Sequence, residues 1–445
     1  MKKTKDLYAL ILILLTITYI QIVTLNENYG MGDDFAQFIL QSKALFGQSY
    51  DEYNLQTELN NFSDIKIGPN AYPIGFPLIL KVINLFNLEE FKYYKIANIL
   101  IFNIFIFVTY LILKNKSKVY AFAVILLIIS SKEIFLLSNS IESDLFFSLL
   151  VVISIFFIDS DKKLDILFGL ISTFISILVK TQGIILLGIV TFHLYKNSKL
   201  KNFIKTYLVF GLSYLILFST KYKFIFGEYK EHLRQFSPVF NNVIYNLTII
   251  SKSFLPTQIT NTFSTSVVSF SILLILFFVV KNFKDYGLHS LLIIVYFLFY
   301  SAYLNQQGIR FLLLLIPSLF FVLYDFVKQK KYLIYAVSIL FLVNVVNYKS
   351  YEYELGNQAF KKENIEMYKY LETNINESDY IAFHKPRLLR LMTDRKVVYL
   401  DQSTLDKRPS FVIVKIIDED TFSKQYQNIY IKLEEFEDYV LFKKS

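Results

Sequence analysis

Blocks of apolar residues about 15–20 long recur along most of this chain, the length at which a helix crosses a bilayer. Short polar segments rich in lysine separate them. A soluble domain would have to bury all of these runs at once, and the composition argues against that. Of 445 residues, 54% are hydrophobic and only 19% charged, where a soluble domain carries about 25% charge. Disorder is excluded by the same figures, and the reading is a polytopic membrane protein.

The chain has no cysteine, which removes disulfides, thiolate metal sites and cysteine nucleophiles together. Its net charge of +9 matters less than where the basic residues fall, because in membrane proteins they mark cytoplasmic loops. No basic stripe with base-stacking aromatics points to nucleic acid.

The N-terminus, Met1-Lys2-Lys3-Thr4-Lys5 followed by an apolar run to about Leu25, reads as an uncleaved signal anchor with its basic end inside. The run Tyr72 to Phe86 is short, carries Lys81 and opens with prolines, so it reads as interfacial rather than spanning. Spans then fall near 94–113, 119–136, 144–158, 164–179, 183–195, 203–220, 266–280, 287–304, 311–326 and 332–347. With the first helix that makes eleven crossings. The inside loops then hold Lys114, Lys116 and Lys118; Lys162 and Lys163; Lys196, Lys199 and Lys201; Lys281 and Lys284; and Lys328, Lys330 and Lys331. The short outside loops hold only Lys132, Lys180 and Arg310, and counting 72–86 as a span would invert that pattern.

The expected fold is therefore an all-α membrane domain over 1–347, with a first outer loop at 26–93, and a small extracytoplasmic α/β domain over 348–445. The second domain is read from a helix around 357–373 and short β-branched runs at Tyr380-Ile381-Ala382, Val397-Val398-Tyr399 and Phe411 to Val414. No internal repeat of the transporter kind is evident.

Under this topology the outer boundary gathers Asp33, Asp34, Glu142, Asp144, Lys180 and Arg310. Charges near hydrocarbon are costly and by default face a cavity and a partner. Plainer roles exist for each taken singly. Asp33 and Asp34 precede Phe35-Ala36-Gln37-Phe38 and suit a helix cap, Glu142 suits a helix start, and Lys180 and Arg310 suit snorkelling to headgroups. The four histidines, His193, His232, His289 and His384, have no metal-ligand spacing.

Several segments, in order, resemble the GT-C glycosyltransferases, in particular the dolichyl-phosphate-mannose protein mannosyltransferase and aminoarabinose transferase group. The first is Gly32-Asp33-Asp34-Phe35-Ala36-Gln37-Phe38 followed by Gly47, where the family has an Asp, an aromatic four residues on and a Gly further along. That register selects Asp34. Tyr72-Pro73-Ile74-Gly75-Phe76-Pro77-Leu78 resembles the family's proline-glycine segment with Tyr in place of one Pro. Ser140-Ile141-Glu142 resembles the acidic second-loop motif, and Val179-Lys180-Thr181-Gln182-Gly183 resembles a segment that usually has Arg where this chain has Lys180. Gly308-Ile309-Arg310-Phe311 through Ile316-Pro317 and Lys385-Pro386-Arg387-Leu388 through Arg395 resemble late segments of the group.

The resemblance implies an inverting transfer of a sugar from a polyprenyl-phosphate donor to a glycan, lipid or protein acceptor on the outer face of a bacterial inner or plasma membrane. It assigns Asp34 as base with Asp33 as runner-up, and Glu142 and Asp144 to the sugar or acceptor. Lys180, Arg310 and the loop residue Arg234 meet the donor phosphate, and Tyr72, Pro73 and Phe76 line a groove for the prenyl chain. No cofactor is required, and although a divalent metal is compatible with such chemistry, nothing in the sequence indicates one. Competing readings are a transporter or flippase for a lipid-linked or anionic substrate, and an O-antigen polymerase or ligase type of transferase.

Overall fold

The computed structural model describes residues 2–25, 34–45, 72–88, 90–219, 239–254, 272, 279–280, 283–302, 308–328 and 362–445. The expected spans at 332–347 and, apart from three residues, 266–280 lie outside them, as do Asp33, Gly47 and Arg234. The chain forms two compact units, one of residues 1–25 and 90–353, the other of residues 26–89 and 354–445. The first outer loop thus groups with the C-terminal α/β segment.

The helices in chain order are α1 (Lys2–Val23), α2 (Asp34–Ala44), α3 (Gly75–Asn84), α4 (Phe91–Lys114), α5 (Lys118–Ser130), α6 (Lys132–Ser138), α7 (Ser143–Ile158), α8 (Lys163–Val179) and α9 (Gly183–Lys196). They continue with α10 (Ile204–Ser219), α11 (Val239–Phe254), α12 (Phe283–Ala302), α13 (Ile309–Leu312) and α14 (Ile316–Val327). The segments Asp6–Val23 and Phe91–Lys114 are each long and apolar enough to cross a membrane, and α5 with α6 would make a third such span. That third segment corrects one expectation. The run 119–136 is not straight but breaks by 74° between Ser130 and Lys132. Ser131 sits there in extended backbone and Glu133 lies in the first turn of α6, so a helix start interrupts the apolar run.

In the helical unit, α7 packs along α8 and α4. A small residue sets the α7–α8 approach: a Cβ at Gly169 would come within 2.7 Å of the Ile158 side chain and 3.0 Å of the Ser154 carbonyl. The closeness lets the Ser154 and Thr173 hydroxyls bond at 2.6 Å across the interface, the small-residue and hydroxyl packing typical of helices in lipid. α1 turns Leu10, Ile17 and Gln21 inward, with Gln21 donating to Ser138 at 2.6 Å, and leaves Tyr8, Leu12, Leu15 and Tyr19 exposed. Pro317 explains the irregular start of α14. Without an N–H it cannot bond back one turn, and the residues just ahead, Leu313–Leu315, tighten into a 3-10 turn.

The second unit pairs α2 and α3 with a five-stranded sheet. Its elements are α15 (Lys362–Asn374), β1 (Tyr380–Phe383), α16 (Pro386–Thr393), β2 (Lys396–Tyr399), α17 (Gln402–Asp406), β3 (Phe411–Lys415), α18 (Glu419–Tyr426), β4 (Tyr430–Glu435) and β5 (Tyr439–Lys444). The strand order is β2-β1-β3-β5-β4, with β1 parallel to β2 and β3, and β5 antiparallel to β3 and β4. β1 and β3 are near-continuous apolar runs because both their faces are covered. Met367 and Leu371 of α15 join Ile381, Val398, Ile413 and Leu441 in the core.

Candidate functional site

Each unit holds one constellation of the singled-out residues. In the second unit Asp34 opens α2, and its Oδ1 accepts a hydrogen bond from the Tyr72 hydroxyl at 2.6 Å. The Arg387 guanidinium donates to the same oxygen at 3.3 Å and to the Tyr72 hydroxyl at 3.4 Å. Arg387 also lies over the Tyr72 ring, 5.6 Å from its centroid. Its side chain is 6% exposed and that of Asp34 27%, so the cation is buried and the carboxylate reaches solvent.

Helical spacing builds this group. Asp34, Phe38 and Gln41 recur at the i, i+4 and i+7 positions of α2 and therefore share one face. All three engage Tyr72. Phe38 packs its ring 4.8 Å from the tyrosine ring. The Gln41 amide donates to the Tyr72 carbonyl at 2.7 Å and accepts from its N–H at 3.2 Å, clamping the main chain as a strand neighbour would. Phe76 meets Phe38 edge-on at 5.1 Å. The aromatic four residues after Asp34 thus has a physical role, which is to hold the residue that bonds the carboxylate. Tyr72 and Phe76, two of the three residues expected in a prenyl groove, pack on α2. Phe76 and Pro73 are buried, and the Tyr72 hydroxyl serves Asp34.

In the helical unit, Glu142 stands at the N-cap position of α7 and Asp144 in its first turn. Glu142 makes no side-chain cap bond and instead lies 3.7 Å from Arg310. Asp144 accepts from Lys180 at 2.5 Å, with side chains 4% and 10% exposed. Lys180 and Arg310 do not reach outward alone: both lie against the Phe311 ring, at 4.6 and 5.5 Å from its centroid. Four charges expected to divide between donor and acceptor form two adjacent acid–base pairs.

The loops that carry them are tied down. Buried Asn98 donates to the carbonyls of Ser140 and Glu142 at 2.6 and 3.2 Å. The Tyr296 hydroxyl donates to the Gln182 carbonyl at 2.9 Å. A Cβ at Gly183 would lie 2.5 Å from the Ile177 nitrogen, so only glycine allows the turn after Lys180 to fold back on α8. Beside these charges in the chain, both amide atoms of Asn139 and Oε1 of Gln182 are buried with no hydrogen-bond partner among the described residues. Among the described residues no group of three or more His, Asp and Glu stands where it could hold a metal ion.

Sequence reasoning missed Arg387 as a site residue. The signal was present in Lys385-Pro386-Arg387, where proline fixes a helix start and places an arginine in the first turn.

No protein family and no curated protein matches the sequence. Solved structures similar in fold include two of one protein. ArnT from Cupriavidus metallidurans bound to undecaprenyl phosphate is 12% identical with a TM-score of 0.63, over 99% of this chain and 98% of that one. The same protein in the apo state is 11% identical with a TM-score of 0.61, over the same shares of the two chains. The likeness spans the whole chain and establishes a shared fold, in keeping with the GT-C resemblance of the motifs.

Proposed function

We propose that this chain is an integral membrane glycosyltransferase that takes a sugar from a polyprenyl-phosphate donor. The observation that carries the reading is the whole-length fold likeness to ArnT, which was solved with undecaprenyl phosphate bound. The order of the sequence motifs along the chain supports it independently of the fold. The reading includes eleven crossings, a cytoplasmic N-terminus, and chemistry and a C-terminal domain on the outer face. A glycan, lipid or protein of the envelope is the acceptor.

In the proposed reaction an acceptor hydroxyl or amine attacks the anomeric carbon, and the bond from that carbon to the phosphate oxygen breaks in line, with inversion. Asp34 takes the acceptor's proton, and a single carboxylate suffices because no covalent sugar intermediate forms. The phosphodiester becomes a monoester and gains negative charge as it leaves. Preorganised cations in a poorly solvated site stabilise that charge, and Lys180 and Arg310 fill the role, with Arg234 as a third. Glu142 and Asp144 balance those cations before the donor arrives and then meet the sugar or the acceptor. Both amide atoms of Asn139 and Oε1 of Gln182, without a partner among the described residues, suit a ligand rich in hydroxyls, which donate as well as accept.

The test is binding of undecaprenyl phosphate to the purified full chain. Lys180→Met and Arg310→Met should each weaken it by about tenfold or more, the loss of one charge-assisted hydrogen bond, while Asp34→Asn should leave it unchanged. Undiminished binding by both cation variants would contradict the donor assignment.

A further inference from the structure

The C-terminal sheet has a feature that its order alone exposes. From β1 the chain passes to β2 on one side, then crosses to β3 on the other. Between β1 and β3, at the carboxyl ends of the parallel strands, lies a topological switch point, the place where open α/β sheets bind ligands. The connection leaving β1 there, His384-Lys385, runs into α16, and α16 packs against α2. Arg387 is in the first turn of α16 and is the residue that meets Asp34.

We infer that Arg387, together with Tyr72, is a positioning residue for Asp34. The sheet presents a buried guanidinium to the carboxylate from the carboxyl end of β1 and so fixes the direction in which the base faces the acceptor. The C-terminal domain is then part of the catalytic apparatus. This inference rests on the transferase reading above.

Three observations make it more than a structural ion pair. Arg387 and Tyr72 converge on one oxygen, Oδ1, and bond each other as well, so three groups form a closed triangle that fixes the carboxylate's rotation. Tyr72 is itself held by Phe38 and by both ends of the Gln41 amide, a degree of support that simple charge balance does not call for. The acid is the more exposed member of the ion pair, 27% against 6% for Arg387. That is the arrangement expected of a group aimed at a substrate.

The experiment uses membranes from deletion cells that carry the full chain as wild type, Arg387→Ala, Arg387→Lys, Tyr72→Phe or Asp34→Asn. Mass spectrometry follows the envelope product over time, and undecaprenyl phosphate binding is measured on the purified proteins. A carboxylate displaced by about 1 Å costs on the order of a hundredfold in rate, so Arg387→Ala should lose product formation on that scale with donor binding unchanged. Added guanidinium should restore part of the rate to Arg387→Ala and none to Asp34→Asn. Arg387→Lys, which keeps the charge but not the planar fork, should stay well below wild type. If Arg387→Ala does not fold, Arg387→Lys and Tyr72→Phe decide the question. Wild-type rates in both overturn the inference while leaving the transferase reading intact. A wild-type protein that forms no product beyond the deletion brings down the reading, and this inference with it.

Discussion

The Lys180–Asp144 pair provides a quantitative test of how the helical unit holds its charges. At 2.5 Å and about one-tenth exposed or less, the two groups attract by about 6–7 kcal/mol at an effective dielectric constant near 20. Desolvating both charges costs several kcal/mol each, so the intact pair contributes little net stability. Removing one partner strands the other, at about 3–5 kcal/mol. Asp144→Asn and Lys180→Met should therefore each destabilise by that amount, whereas the two together should cost only about 1 kcal/mol, since neither leaves the other's charge buried without its partner. The coupling energy of the cycle is then about 5 kcal/mol or more, measured by denaturant titration in mixed micelles. The exposed Lys199–Asp161 pair, at 2.8 Å with the aspartate 98% exposed, is the control and should couple by less than about 1 kcal/mol. Additive costs at the buried pair, with the double variant as unstable as the two singles summed, would refute the reasoning. If Lys180 also meets the donor phosphate, the double variant should be folded and inactive.

Other expectations follow from single features. Gly183→Ala places a Cβ against backbone atoms of Ser176 and Ile177 at 2.5–2.6 Å; the turn must open, at about 1–3 kcal/mol, and a drop in apparent melting temperature together with weakened undecaprenyl phosphate binding would report it. Burial, with Lys385 and Lys415 nearby, pushes His384 down to about 4. The unfolded chain titrates near the ordinary value of about 6.5 and binds more protons between the two, so this contribution to stability is full above that value and drains as pH falls toward 4. Protection of the β1 and β5 amides, taken relative to their intrinsic exchange rates at each pH, should fall over that window in the wild type and less in His384→Gln. An equal fall in both would remove His384 as the cause.

How far the sequence could be read differs element by element. The expected spans 94–113, 144–158, 164–179 and 183–195 match α4, α7, α8 and α9 to within three residues at either end, because an apolar block bounded by lysines leaves little freedom. Where a short polar signal sits inside an apolar run, the block hides it: Ser131 and Glu133 start a new helix and bend the expected third span. β1, β2 and β3 were legible from their β-branched runs, but the β4–β5 hairpin was not. β4 is exposed beyond Tyr430 and carries lysine and glutamates on an edge, so it lacks the alternation that marks a half-buried strand. At the candidate site, the carboxylate and its helical register were readable from Asp34 and Phe38. The partnership with Arg387 spans more than three hundred residues, and only the folded chain brings it together. The pairing of acids with bases in the helical unit was likewise invisible, since the spacing of Glu142, Asp144, Lys180 and Arg310 does not say which meets which.

The central claim is that Asp34 is the base of a glycosyl transfer. It is tested most directly by mass spectrometry of envelope lipids, polymers and proteins from cells carrying the wild type, a deletion or Asp34→Asn. The account predicts one glycan mass, present in the wild type and lost in both mutants, with Asp34→Asn protein accumulating normally in the membrane. A deletion that alters the envelope while Asp34→Asn leaves it unchanged would contradict the claim and favour transport of a lipid-linked or anionic substrate.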